Sequence, residues 1–288
     1  MAAPGGGAGG VDGEGDGAAA LVAPATPPGR RAPGRPIRLG RISYANMAPV
    51  FFRVEASFEE VSGVPTELNR RLLAGELDTA PISSIAYARD AGSLLLLPRL
   101  CVSSQGAVDS IQLVSRLPLE QIRSVAVTPE SATSVVLTRV LVPRATHVPL
   151  GEQADATLLI GDAALRSAFE DPTPHHDLGR LWLERTGLPM VFAVWAAPEP
   201  PHPGLGELES ALVASLRAAR AAPEALAFEA AARYGYPAGF LARYFEKLRY
   251  RFGERERTGL ITFLELARDV GELDEVPELR FLDGGERG

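Results

Sequence analysis

Three short stretches of the chain put hydroxyl and amide side chains at the start of a helix, where an anion is held well. They are Ser43-Tyr44-Ala45-Asn46, Pro81-Ile82-Ser83-Ser84 and Thr128-Pro129-Glu130-Ser131-Ala132-Thr133-Ser134. The first amide N–H groups of a helix lack partners within it and carry partial positive charge, so a carboxylate is stabilised there. Ser and Thr also cap helices generally, and capping accounts for any one of these stretches taken alone. Three of them on two parts of the chain suit a ligand with two carboxylates. Ser110 adds a hydroxyl from a strand start. Asp162 in LIGDAAL reads first as the cap of the following helix and second as a substrate contact. A general base is harder to find. Hydroxyls and amides orient a substrate and stabilise charge but accept protons poorly at neutral pH, and Glu130 stands alone in its stretch. Either the base lies elsewhere or the substrate supplies it.

The elements that must position these turns follow from hydrophobic spacing. IRLGRIS from Ile37 reads as a first strand, FEEVSG as a second, and PTELNRRLLAGELD as a helix. That helix opens at Pro65, shows the apolar stripe Val64, Leu68, Leu72, Leu73, and ends at Gly75. TAPISS is a buried third strand leading into a helix at Ser83-Ser84. This β-α-β-α order implies a parallel sheet whose strand ends share one edge, where ligands collect. LLLLPRLCV and SIQLVS are two further strands; SVAVT with ESATSVVLTRVLV then restarts the strand-helix pattern and suggests a second lobe. ADATLLIGD reads as a strand, DAALRSA and HDLGRLWLERTG as helices, and MVFAVWA as an apolar strand returning to the first lobe. From Gly206 onward, FLARYFEKLRYRF included, the pattern is helical and carries no strand signal. The expected fold is therefore α/β and two-lobed, with a ligand cleft between lobes. Residues 37–115 and 196–288 form lobe 1 and residues 116–195 form lobe 2. No internal repeat appears.

Composition narrows the chemistry. The 288 residues carry a net charge of −7 with no basic cluster, which argues against a nucleic-acid surface. Lys247 is the single lysine and reads as part of a charged C-terminal helix, so Schiff-base chemistry is not expected. Cys101 is the single cysteine, leaving no disulfide framework and no multi-thiolate metal site. His147, His175, His176 and His202 lack metal-ligand spacing, and His175-His176 beside Asp171 reads as a solvated loop; no metal is expected. Residues 1–36, rich in Gly, Ala and Pro, read as a disordered tail. The short Ala18–Ala23 run, broken by Pro24, does not make a secretory signal, and no window reaches the roughly 20 apolar residues of a membrane span.

Several long motifs, taken in order, resemble one family. RISYANMAPVFF, GVPTELNRRLLAGELDTAPISSIAYA, TPESATSVVL, ADATLLIGDAALR and HDLGRLWLERTGLPMVFAVWA are similar to the MqnA-type chorismate dehydratases of the futalosine route to menaquinone. The resemblance runs from about Arg38 to Phe252. It implies a type II periplasmic-binding-protein-like fold in a cytoplasmic enzyme without a cofactor, which removes water from chorismate to give 3-[(1-carboxyvinyl)oxy]benzoate. Chorismate carries a ring carboxylate and an enolpyruvyl carboxylate. The family's active-site asparagine falls on Asn46. The carboxylate contacts fall on Ser83, Ser110, Thr133 and Ser134, with Ser43, Tyr44, Ser84 and Ser131 in the same turns and Asp162 in LIGDAAL as further substrate-binding positions. Two departures stand out: the stretch between Leu141 and Ala154 is short, and Arg185 occupies a position that is often aromatic.

Two rival readings have distinct signatures. The related MqnD-type enzyme, which makes a naphthoate from a later intermediate, usually has a Pro-Asn-Asp-Thr-like turn after its first strand, where this chain has Ser-Tyr-Ala-Asn. A carboxylate-binding protein that serves a transporter calls for an export signal or a lipid-attachment cysteine near the start.

Overall fold

The structure, a computed structural model, describes Met1 and residues 34–171 and 173–282. Residues 2–33 of the expected tail lie outside the described residues. Arg35, expected within that tail, pairs with Asp78 through Nη1 and Nη2 at 2.7 and 2.5 Å, and Asp78 also accepts the Arg38 amide at 2.9 Å. The folded part therefore begins ahead of Ile37.

The first-sheet side starts with β1 (Ile37–Ile42), which pairs in parallel with β2 (Phe58–Gly63) as a separate two-stranded ladder. Helix α1 (Pro65–Leu73) follows with proline at its first turn, where a missing N–H costs nothing. Its buried face is Leu68, Asn69 and Leu72, while Leu73 is 42% exposed. The stripe read from sequence thus turns by one position and takes in an asparagine instead of a leucine. Strand β3 (Ala80–Ser83) runs straight into α2 (Ser84–Arg89). A parallel bridge between Leu39 and Thr79 ties β1 to the start of β3, and the approach is close: a Cβ on Gly40 would sit 2.5 Å from the Ala80 Cβ. Strand β4 (Leu94–Ser104) lies in the same sheet as β3.

The second sheet and its helices hold β5 (Ile111–Val114), β6 (Ser124–Val127), α3 (Ala132–Leu141), β7 (Thr146–Pro149), β8 (Ala156–Ile160), α4 (Gly161–Glu170), β9 (His175–Asp177) and α5 (Leu178–Thr186). The strand order is β7-β6-β8-β5-β9. β6 pairs in parallel with β7 and β8, and β5 pairs antiparallel with β8 and β9. His175 and His176, expected in a solvated loop, instead form an edge strand. Their rings bond Ser167 Oγ at 2.9 Å and the Leu117 carbonyl at 3.0 Å. Arg185 donates to the Val140 carbonyl at 2.5 Å, serving the C-terminal end of α3.

The chain returns through β10 (Met190–Pro198), which lies between β3 and β4, and continues in α6 (Leu205–Ala221), α7 (Pro223–Tyr234) and α8 (Ala238–Phe245). Strand β11 (Leu248–Arg251) then pairs with β4, and α9 (Glu254–Asp269) follows. The helical expectation for FLARYFEKLRYRF is corrected at this point. Leu248 and Tyr250 are buried while Arg249 and Arg251 are exposed, a period-two pattern that the preceding helix masks. Because β5 pairs in the second sheet and β10 in the first, both crossings fall a few residues earlier than the expected breaks after 115 and 195.

The first crossing is pinned by one buried carboxylate. Asp177 caps α5 by accepting the Arg180 amide at 3.0 Å. It also accepts Val108 N at 2.9 Å, Asp109 N at 2.7 Å and Gln112 Nε2 at 2.8 Å. Asp109 sits at φ 59, uncommon for a non-glycine residue, and its side chain pairs with Lys247 at 2.5 Å. Lys247 lies between α8 and β11, outside any helix, and joins the first-sheet side to this crossing.

Candidate active site

The C-terminal ends of β1 and β3 face the ends of β5 and β8 across a cleft that holds about 530 Å³ of empty space, part of it open to solvent. Ile42, Val102, Ile111, Ile160, Phe192 and Leu248 supply an apolar lining. Its polar groups are Tyr44, Asn46 and Ser83 on the first-sheet wall and Ser110, Ser131 and Ser134 on the second. Among the described residues that line it there is no Asp, Glu, His, Lys, Arg or Cys.

Each polar group has a local cause. Asn46 lies in a short 3-10 turn directly after β1, and Tyr250 donates its phenol proton to the Asn46 carbonyl, fixing the turn from below. The Asn46 side-chain Oδ1 is buried and has no hydrogen-bond partner among the described residues. Leaving such an acceptor unpaired costs about 1–3 kcal/mol, so it is a group waiting for a donor. Ser83 is held by Asn69, whose Oδ1 accepts the Ser83 amide at 3.0 Å and whose Nδ2 donates to Ser83 Oγ at 3.2 Å. With Oγ occupied as an acceptor, the Ser83 hydroxyl proton is left to serve the cleft. Ser131 caps α3 by accepting Ser134 N at 3.3 Å, and the two hydroxyls are 2.9 Å apart. This pair and the first turn of α3 present donors from the second wall.

Tyr44 spans the cleft. Its phenol donates to Glu130 Oε2 at 2.7 Å, and burial first, then this bond, raises the phenol far above its ordinary range, keeping it neutral. Its ring lies against Gly161, which has φ +55; a Cβ there would meet the ring at 2.6 Å. Only glycine meets both demands. Ser110 sits beside the buried phenol of Tyr244, whose ionisation is pushed up by burial.

Four residues expected at the site do not line it. Ser43 is exposed, and its amide bonds the Gly63 carbonyl at 3.1 Å. Ser84 donates its hydroxyl to the Val191 carbonyl at 2.8 Å, tying α2 to β10. Thr133 turns away by one step of the helix and accepts the Ile85 amide at 3.4 Å. Asp162 is neither a cap nor a lining residue. Ile160 is the N-cap of α4, and Asp162 Oδ1 accepts Ala45 N at 3.0 Å from across the cleft. Burial raises its carboxyl above the ordinary value, with the Ala45 bond opposing that shift. The expected anchors thus reduce to Ser83, Ser110, Ser131 and Ser134, grouped around Asn46. Sequence reasoning missed Asn69, Phe192, Tyr244 and Tyr250. Of these Asn69 left a signal, a polar residue at apolar-stripe spacing in α1.

Comparison with known proteins agrees with this geometry. A two-sheet α/β architecture with a cleft at the strand ends is the periplasmic-binding-protein-like class. A Candida albicans protein, the CA3427 gene product, described as having that generic fold, superposes with a TM-score of 0.55 at 11% identity, over 84% of this chain and 92% of that one. Protein AF1704 from Archaeoglobus fulgidus superposes with a TM-score of 0.70 at 21% identity, over 84% and 100%. A family model described as menaquinone biosynthesis matches residues 37–269, and the chain belongs to that family. A chorismate dehydratase of Thermus thermophilus is 38% identical over 264 aligned residues, covering 80% of this chain and 95% of the relative.

Proposed function

We propose that this protein is a chorismate dehydratase, converting chorismate to 3-[(1-carboxyvinyl)oxy]benzoate and water. Family membership and the Thermus thermophilus relative's name support the reaction. The observation that carries it is the buried Oδ1 of Asn46, unpaired among the described residues, in a cleft whose polar lining is hydroxyl groups with no Asp, Glu, His, Lys, Arg or Cys among its described residues.

The chemistry assigned to each group follows from what it can donate or accept. Ser83 and Ser110 on opposite walls, with Ser131 and Ser134, hold the two carboxylates. Each hydroxyl bonded to a charged group contributes about 1.5–3 kcal/mol. The apolar strands under them take the ring. Asn46 Oδ1 accepts the ring hydroxyl proton in a hydrogen bond, and its amide N–H stabilises charge on the oxygen as the C–O bond breaks. The substrate's enolpyruvyl carboxylate takes the neighbouring ring proton, since it is tethered at an effective concentration that no free base reaches. That proton then joins the departing hydroxide, so one water leaves, the ring becomes aromatic and no electrons are exchanged with a partner. On this reading no cofactor enters, the two sheets act as lobes that close over the substrate, and the step belongs to the futalosine route in the cytoplasm.

The test is direct: purified protein mixed with chorismate, followed by ultraviolet absorbance and product mass. Loss of one water with aromatisation is expected. Tight binding of unchanged chorismate would overturn the enzyme reading in favour of a carboxylate-binding protein.

A further inference from the structure

The turn that carries Asn46 is gripped from both walls. Below it, the Tyr250 phenol holds the Asn46 carbonyl. From the opposite wall, the second residue of α4, Asp162, reaches over and accepts the N–H of Ala45, the residue directly before Asn46. Asp162 is itself braced, because the Tyr236 phenol donates to its backbone carbonyl at 2.7 Å. The pairing joins residues 117 positions apart in sequence and links the two sheets. It also exists only when α4 stands against the turn, since nothing else among the described residues accepts the Ala45 amide proton.

We infer that Asp162 is a positioning residue that sets the Asn46 turn when the cleft is shut, so that the catalytic amide is assembled by closure itself. This rests on the dehydratase reading for the identity of the reaction. A proton-transfer role does not fit, because Asp162 does not line the cleft and its Oδ1 is committed to a backbone amide. A hydrogen bond across the closing faces lets substrate binding be spent on orienting the amide, and a misplacement of about 1 Å at such a group costs on the order of 10²-fold in rate.

Three proteins separate the outcomes: wild type, D162A and D162N. The amide oxygen of Asn accepts the same N–H as the carboxylate, so D162N keeps the grip without the charge. D162A should lose about 10²-fold in kcat, with Kd for chorismate moved by less than about threefold, under 1 kcal/mol. D162N should recover most of that loss. Amide hydrogen exchange of residues 44–47 should quicken in D162A and return towards wild type in D162N. Wild-type turnover of chorismate is read first and tests the dehydratase reading alone. The exchange comparison needs no turnover and tests the grip alone. D162N as inactive as D162A, unchanged exchange in D162A, or a D162A defect confined to Kd would each overturn the inference.

Discussion

Two buried polar centres of this protein are built in opposite ways. The Asp177 carboxylate, 5% exposed, accepts four donors from the first crossing and the start of α5. The side-chain oxygen of the half-buried Asn46, itself withdrawn from water, accepts none among the described residues. Burial is the main force raising the Asp177 carboxyl, and the backbone amides around it oppose that shift. A buried acceptor that is saturated by its own chain holds structure together; one left open at a cleft is available to a ligand or to water. An open acceptor together with a place in the cleft lining sets Asn46 apart, since the other unpaired buried atoms, Gln112 Oε1 beside Asp177 among them, do not line that cleft.

The largest expected effect lies at the open centre. Asn46→Ala should lower kcat by about 10²–10³-fold or more, the loss that follows removal of one charge-stabilising group, while chorismate still binds by equilibrium titration. Wild-type turnover in that variant would erase the contrast. At the closed centre the readout should switch from rate to stability. Asp177→Ala strands three backbone N–H groups and the Gln112 amide, and denaturant unfolding should show a loss of about 3 kcal/mol or more, with turnover per folded molecule changed far less than in Asn46→Ala. Ser134→Ala sharpens the picture on the second wall: KM should rise about tenfold or more, the worth of one hydrogen bond to a carboxylate. The smallest effect concerns the half-buried Asp155, whose bonds to the Arg123 and Ser124 amides hold its carboxyl below the usual range. A depressed folded-state value stabilises the protein above the unfolded value near ~3.9. Asp155→Asn should therefore melt slightly lower at neutral pH, and the difference should vanish as acid carries the solution through the folded-state value.

Elements whose signal is local were legible in the sequence. Pro65 announced α1, the Thr128–Ser134 stretch with the pattern after it announced α3, and the apolar run at Met190 announced β10. Strand β11 was not, because its alternation of Leu248, Arg249, Tyr250 and Arg251 spans four residues and follows a helix without a break in polarity. The edge strands β7 and β9 were hidden for a similar reason: neither has an apolar run, Thr146–Pro149 being exposed or half-buried throughout and His175–Asp177 burying only the Asp177 carboxylate fully. For the candidate site, sequence pointed to three turns that each contribute to the cleft lining but not to which side chain in each turn faces it. Ser83 and Ser84 are identical in type, yet one meets Asn69 and the other Val191. Thr133 and Ser134 differ by one step around a helix. Such choices depend on partners far along the chain, as the link between Asp162 and Ala45 shows.

Beyond α9 the chain returns to the first sheet. The Leu96 amide donates to the Arg280 carbonyl at 2.7 Å, the Leu282 amide donates to the Leu96 carbonyl at 2.8 Å, and Phe281 bridges Leu96 in parallel. β11 covers β4 only from Leu100 to Ser104, so this strap shields the half of β4 that would otherwise present bare amides and carbonyls to a neighbouring molecule. Unprotected strand borders recruit one another into aggregates, and residues 280–282 thus act as a guard on solubility, remote from the chemistry they accompany.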